Sequence, residues 1–278
     1  MIKKFYLLYK QLLPNSVKRI LGKSIILKPI RDAFLRERGV FKLHYVDIHK
    51  TFPPFNASFR FYASLKYAIN AEKKGVETTL LNQSMALLGE KSIPAHNCVI
   101  LDIGANFGYL SMVWAKTLAQ NGQVYAFETN PDVFKAFRTA IGYNHLQNIS
   151  LYHQAVGEQE ERITMFHLDT SSNVKQTEES ATSFEVDMIT LDGFIRRSHL
   201  KRCDLVKIDV DGIEYDILQG SVDLIERFYP IFVVETNGDH RIPEFFHERG
   251  YTLYDLHMHA FEMGSLELPN NIFCLPPR

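Results

Sequence analysis

Residues Cys98–Ser111 read CVILDIGANFGYLS. Four apolar residues, Val99, Ile100, Leu101 and Ile103, bracket a single acid, Asp102. A glycine-bearing turn follows, Gly104-Ala105-Asn106-Phe107-Gly108, and then an apolar-periodic run, Leu110, Val113, Trp114 and Leu118. The pattern predicts a buried strand, a tight turn and a helix, the opening unit of an open α/β sheet. Ligands of such sheets bind beyond the carboxyl ends of the strands, where this turn lies. Glycine there permits positive φ and lets a ligand approach the backbone without meeting a Cβ.

Downstream the pattern repeats. Gln123–Glu128 (QVYAFE) reads as a second strand ending in an acid, and Pro131 sits where a helix can begin without a backbone N–H. Ile149–Val156 and Arg162–Leu168 read as further strands, then Phe184–Leu191, the buried run Asp204–Val210 (DLVKIDV), Tyr229–Glu235, Thr252–Leu256 and Asn271–Leu275. Strands alternating with helices from residue 97 onward predict a doubly wound, mostly parallel sheet. Asp169–Ser183, with seven Ser or Thr in fifteen residues, reads as a mobile loop or lid.

Upstream, residues 1–90 read as a basic and aromatic, mainly helical extension. Leu65–Leu88 has helical character broken near Gly75. Phe41–Tyr67 contains eight Phe or Tyr in 27 residues together with Pro53-Pro54, and reads as irregular or mixed, its rings either core or a platform for a sugar or lipid. Residues 1–40 carry ten Lys or Arg against two acids, while the whole chain has a net charge of −1. Such a basic amphipathic segment suits either packing on the domain or peripheral contact with an anionic membrane. The near-neutral total speaks against bulk nucleic-acid binding.

A chain of 278 residues that is 46% hydrophobic and 23% charged has material for a sizeable core. Three cysteines, Cys98, Cys203 and Cys274, are an odd number and widely spaced; Cys98 and Cys203 lie in strand-like runs and read as free buried thiols, which favours a reducing, cytoplasmic setting. Phe5–Leu13 is interrupted by Lys10 and lacks a small-residue cleavage site, so no secretory signal is expected.

Asp102, Glu128, Asp209 and Glu235 each lie at the end of a predicted strand, and parallel strands bring such ends together. Buried acids there need partners, and four at once suit a site for hydroxyls and a cation. An acid twenty residues past Gly108, at the end of the second strand, is placed to accept the hydroxyls of a ribose. A dinucleotide fingerprint needs three glycines to seat a pyrophosphate; here Asn106 and Tyr109 replace two of them, and Asp102 would repel phosphate. An ammonium or sulfonium would be welcome, and S-adenosylmethionine has both.

The successive motifs DIGANFGYLS, YAFETNP, VDMITLDGF, LVKIDVDGIEYDILQG and IFVVETN resemble those of the FkbM-type S-adenosylmethionine-dependent methyltransferases over roughly residues 75–240. Asp211 departs from the glutamate usual in that family. The resemblance implies a class I, Rossmann-like methyltransferase fold over residues 91–278 with S-adenosylmethionine as cofactor. It implies that Asp102, Gly104, Asn106 and Gly108 cradle the methionine half, that Glu128 binds ribose with Asn130 nearby, and that Gln154, Ala155 and Val156 lie against adenine. Glu77 matches an acid on the cofactor side, while Asp209, Asp211 and Glu214 would face the acceptor. An alcohol is a weak nucleophile whose proton must be accepted as it attacks, which makes Asp209 the first candidate base or orienting group and Asp211 the second. His153 and His240 are alternatives. Asp209, Glu235 and Asn237 offer oxygen ligands for a divalent metal, and His257 with His259 a weaker set; neither is required by the chemistry. The expected activity is O-methylation of a sugar, glycan or lipid-linked saccharide. A nicotinamide-dependent oxidoreductase and a catalytically silent membrane-docking scaffold are the competing readings.

Overall fold

The computed structural model describes residues 36–37, 40–89, 96–168, 171–173 and 182–277. The basic segment 1–35 and most of the polar stretch 169–183 lie outside the described residues. In chain order the elements are the short strands β1 (Arg36–Glu37) and β2 (Val40–Phe41), a hairpin of β3 (Leu43–Phe52) and β4 (Phe55–Ser64), and the helices α1 (Leu65–Lys74) and α2 (Thr78–Gly89). Next come β5 (Val99–Ile103), α3 (Tyr109–Lys116), β6 (Gln123–Phe127), α4 (Pro131–Tyr143) and β7 (Ile149–Tyr152). A run of strands follows, β8 (Ala155–Val156), β9 (Glu161–Leu168), β10 (Ser171–Asn173) and β11 (Thr182–Ile189), then α5 (Leu191–Arg197) and β12 (Leu205–Ile208). The chain continues through α6 (Glu214–Gln219), α7 (Val222–Phe228), β13 (Ile231–Glu235), α8 (Arg241–Glu248), β14 (Thr252–Asp255) and β15 (Asn271–Leu275).

Seven strands form the central sheet in the order β14-β15-β13-β12-β5-β6-β7. All run parallel except β15, which is antiparallel to both neighbours. The order reverses between β5 and β12, so the carboxyl ends of these two strands flank the switch point where open α/β sheets hold their ligands. Side chains alternate across the sheet. Ile100, Val124 and Leu205 face a core shared with the hairpin and α1–α4, whereas Leu101, Ile103, Val206 and Ile208 face a second core with α5–α8. Cys98, Cys203 and Cys274 are buried free thiols, the first two in keeping with the sequence reading.

Two expectations are corrected. Residues 43–64 are not irregular: β3 and β4 pair antiparallel from Leu43↔Ser64 to Phe52↔Phe55, with Pro53-Pro54 at the turn. Val46, Ile48, Phe52, Ala57, Phe59, Phe61 and Ala63 point inward at every second position and are buried, the period of a strand with one covered face. Phe59 and Phe61 meet Tyr109 of α3 edge-on, at 5.6 and 5.4 Å, so these rings belong to the core. Second, β9 and β11 do not join the central sheet. With β8 and β10 they form a separate four-stranded sheet, ordered β10-β9-β11-β8. The reason lies in their side chains: Arg162, Thr164, Glu185 and Asp187 are exposed and alternate with inward Met165, Val186 and Met188, which fits a sheet wet on one face rather than one covered on both. Farther upstream, the helical run does break at Gly75, where φ is 79°.

Candidate active site

Asp102 on β5 and Lys207 on β12 are register partners across the parallel pair at the switch point. Both are buried, at 0% and 3% exposure. Two ions inside a core are stable only when each finds compensating partners, and here they do. The Lys207 ammonium donates to the carbonyls of Gly104 (2.8 Å) and Ile103 (3.3 Å). It also lies 3.6 Å from Asp102 Oδ1 and 3.4 Å from Asp209 Oδ2. Burial would lower the affinity of Lys207 for its proton, yet Asp102, Asp209 and Glu77 outweigh it and hold the ammonium above the ordinary lysine range. Burial pushes Asp102 upward, opposed by Lys207 and by the hydroxyl of Ser111, which donates to Asp102 Oδ2 at 2.5 Å. Asp102 Oδ1 has no hydrogen-bond partner.

The turn after β5 is shaped by packing. Gly104 has φ +74°, and a Cβ there would stand 1.9 Å from the backbone oxygen of Asp209. Gly108, also at positive φ, opens α3, and its Cβ would enter the Phe137 ring. Asn106 takes φ 52°, a left-handed position that asparagine tolerates better than most residues. Its N–H donates to Glu128 Oε2 at 2.8 Å. Glu128 Oε1 accepts from the Asn130 N–H at 2.7 Å, and Asn130 Oδ1 in turn accepts from the N–H groups of Asp132 and Val133 at the start of α4. The second-strand acid is therefore clamped between two turns. Burial nonetheless pushes its carboxyl up to about 7, against the pull of these backbone donors.

One cavity collects most of the sequence-predicted residues. Asp102, Gly104, Asn106 and Glu128 line it, and Gln154, Ala155 and Val156 continue the wall, joined by Ile163 and Met165 of β9. Asp209 and Asp211 line it as well, Asp209 standing beside Gly104 and sharing Lys207 with Asp102, together with Tyr67 and Glu77 from the segment before β5. Gly108 and Asn130 do not line it: the first gives room to Phe137 and the second caps α4, so both act on the cavity's shape from behind. Glu214 does not face an acceptor. It is buried, and its Oε1 accepts from the N–H groups of Val210 and Gly212 and from Asn237 Nδ2, all within 3.1 Å. That bond set holds the Asp211-Gly212 turn, where Asp211 sits at φ 64°. Partial burial, then Asp209 and Glu214, raise the Asp211 carboxyl.

The other candidates are engaged elsewhere. Asn237 Nδ2 also reaches Glu235 Oε2 at 3.3 Å, and burial followed by the neighbouring Asp209 pushes Glu235 up to about 7. His153 places a ring nitrogen 2.8 Å from the Thr129 carbonyl, and His240 stands at the start of α8 outside the cavity lining. His259 Nδ1 pairs with Asp255 Oδ2 at 2.9 Å. Among the described residues, no group of three or more His, Cys, Asp or Glu is placed to hold a metal ion. Lys207, Ser111 and Tyr67 are the site residues that the motifs left unassigned. A lysine inside the otherwise apolar run LVKI was the available signal, because a central strand buried on both faces has no place for an unpaired ammonium.

The FkbM methyltransferase domain matches residues 102–253, more than half of the chain. The chain belongs to the FkbM methyltransferase family. The chain is 23% identical over 146 residues to Methyltransferase 1 of Beauveria bassiana, an alignment covering 45% of this chain and 58% of that protein. The chain thus spans less than two thirds of that relative. In fold it is similar to the FkbM methyltransferase of Methylobacillus flagellatus, with a TM-score of 0.45 and 12% identity over 71% of this chain and 53% of the other. It is also similar to an S-adenosylmethionine-dependent O-methyltransferase of Thermotoga maritima, with a TM-score of 0.41 and 12% identity over 90% and 82% of the two chains. Family membership displaces the oxidoreductase reading.

Proposed function

We propose that this methyltransferase transfers the methyl group of S-adenosylmethionine to a hydroxyl oxygen of an uncharged polyol, a sugar, glycan or lipid-linked saccharide. The observation that carries the reading is Asp102, buried at the end of β5 and lining the cavity, whose Oδ1 meets the Lys207 ammonium at 3.6 Å but has no hydrogen-bond partner. A buried carboxylate oxygen with that capacity unfilled favours a cationic or hydrogen-bond-donating ligand group. The methionine half of the cofactor would lie against Asp102, Gly104 and Asn106. Its ribose would meet Glu128, whose oxygens keep acceptor capacity beyond the two backbone bonds, and its adenine would meet Ala155, Val156, Ile163 and Met165. When bound, the cofactor supplies a methyl group already activated by the positive charge on sulfur.

The protein's part is alignment and proton transfer. Asp209 is fixed on two sides, by the backbone bond of its N–H to the Ile103 carbonyl at 3.2 Å and by Lys207. It stands within one cavity with Asp102, so an acceptor hydroxyl bound to it is directed toward the cofactor. Asp209 accepts the hydroxyl proton as the new C–O bond forms and the S–C bond breaks. The carboxylate loses its negative charge in the step that removes the positive charge from sulfur, so the site's net charge is unchanged. Asp211 orients a neighbouring hydroxyl. Among the described residues, the one lysine lining the cavity is already paired with Asp102 and Asp209, which favours a neutral acceptor over a phosphate or carboxylate.

Calorimetry with S-adenosylmethionine, S-adenosylhomocysteine and NAD, followed by transfer of labelled methyl to a panel of glycans, tests the reading. Binding of the first two with micromolar affinity and base-stable label on a glycan are expected. Binding of NAD alone, or label found only on amines, overturns it.

A further inference from the structure

Beyond fixing Asp209, Lys207 takes no part in the chemistry just described, yet its polar contacts reach further than that one acid. Its ammonium meets four oxygens from three places: the carbonyls of Ile103 and Gly104 at the end of β5, the Asp102 carboxylate within β5, and Asp209 after β12. It is 3% exposed and therefore takes no part in solvent-side recognition. Two features give this node a consequence for the cofactor. The Gly104 carbonyl belongs to the turn that would cradle the methionine half, and Gly104 is already pressed onto the backbone of Asp209. Asp102, the acid that would answer the positive charge, has one oxygen fixed by Ser111 and the other opposed only by Lys207.

Building on the proposed cofactor site, we infer that Lys207 is a positioning residue for S-adenosylmethionine: it keeps Asp102 ionised and ties the β5 turn to the end of β12, so acid and turn are ready before the cofactor arrives. The groups facing Asp102 are Ser111 from α3, Lys207 and Asp209 from the β12 side, Glu128 from the β6 end, and Tyr67 and Glu77 from the segment before β5. Among the described residues, Lys207 is the single cation facing Asp102. Without it, the fully buried Asp102 faces the partly exposed Asp209 and the exposed Glu77 with no cation between them, and Asp102 takes up a proton more readily. Cofactor binding then requires that proton to leave.

The test needs no acceptor. S-adenosylmethionine is titrated calorimetrically into the wild type, Lys207→Met and Lys207→Arg, each in two buffers of different ionisation heat, so that protons released on binding are counted. Lys207→Met is expected to lose at least tenfold in affinity and to release up to one proton more than the wild type. Lys207→Arg should stay within a few-fold of the wild type with no extra proton. Wild-type affinity in Lys207→Met, or weaker binding with unchanged proton release, overturns the inference, since loss of packing alone moves no proton. Should Lys207→Met fail to fold, the double variant Lys207→Met/Asp102→Asn, which leaves one fewer charge unpaired, is expected to regain a cooperative melting transition; if it does not, the inference falls. A wild type that binds no S-adenosylmethionine counts against the cofactor reading alone, because comparing the melting of the single and double variants requires no ligand.

Discussion

Glu128 follows β6 and Asp209 follows β12, on either side of β5, and they differ in how they are held, which separates their expected effects. Glu128 has both carboxylate oxygens bonded to backbone donors and is nearly closed to solvent. Its replacement by Gln should weaken S-adenosylmethionine binding by about tenfold or more, since a charged acceptor to ribose is lost. Its carboxyl is pushed up to about 7, so the charged form prevails above neutrality and is lost as pH falls. Cofactor affinity should therefore decline from pH 8 to pH 6, and calorimetry across that range checks it. Asp209→Asn should leave cofactor affinity within a few-fold and lower turnover by roughly 10²–10⁴, the usual contribution of a positioned base; equal losses of affinity in both variants contradict the division of roles. Gly104→Ala belongs to a different class. The added methyl would stand 1.9 Å from a carbonyl oxygen at a positive φ, and thermal unfolding should show a loss of more than about 2 kcal/mol. The glycines of this turn were readable in the sequence as marks of a special backbone. What they admit was not: Gly104 and Gly108 make room for Asp209 and Phe137 of the protein itself, contacts that join residues 105 and 29 positions apart respectively.

At the scale of elements, the strand–turn–helix unit around Asp102, the acid-ended strand before Pro131 and the buried strand carrying Lys207 were all legible, because each is a short apolar run bounded by turn residues. The hairpin was obscured for a physical reason. Its aromatic content and Pro53-Pro54 draw attention, while its true signature is the alternation Phe59, Phe61, Ala63 against exposed Ser58 and half-exposed Arg60 and Tyr62. The hairpin is fastened to α4 by Asn144, whose side chain accepts from the Arg60 N–H at 2.8 Å and donates to the Arg60 carbonyl at 2.7 Å. Arg60 also lies over the Tyr143 ring at 4.8 Å. Phe61→Ala would leave a hole beside Tyr109 and is expected to cost about 3–5 kcal/mol, read as a lower denaturant midpoint. Removing Asn144 should cost about 1–3 kcal/mol, because two backbone groups lose their partners. The division of strands between two sheets was not legible from apolar runs alone, since β9 and β11 read as strands in either arrangement and only their wet face decides between them.

For the whole molecule, cofactor and fold are coupled by mass action. S-adenosylmethionine at a hundredfold excess over its dissociation constant should stabilise the chain by about 2.7 kcal/mol, a rise of several degrees in melting temperature for a protein of this size. The Glu128→Gln variant should show a smaller rise at the same concentration. The central sheet adds a temporal consequence. β14 touches the rest of the sheet only through β15, which lies between it and β13 although it is the later of the two in sequence. During synthesis, therefore, β13 presents an open edge and β14 has no neighbour to pair with until residue 275 has cleared the ribosome. The β5–β7 side of the sheet can assemble while the chain is still growing, whereas closure of its far edge waits for Asn271–Leu275. A nascent chain halted near residue 260 should accordingly expose an apolar, adhesive flank and be a preferred client for chaperones.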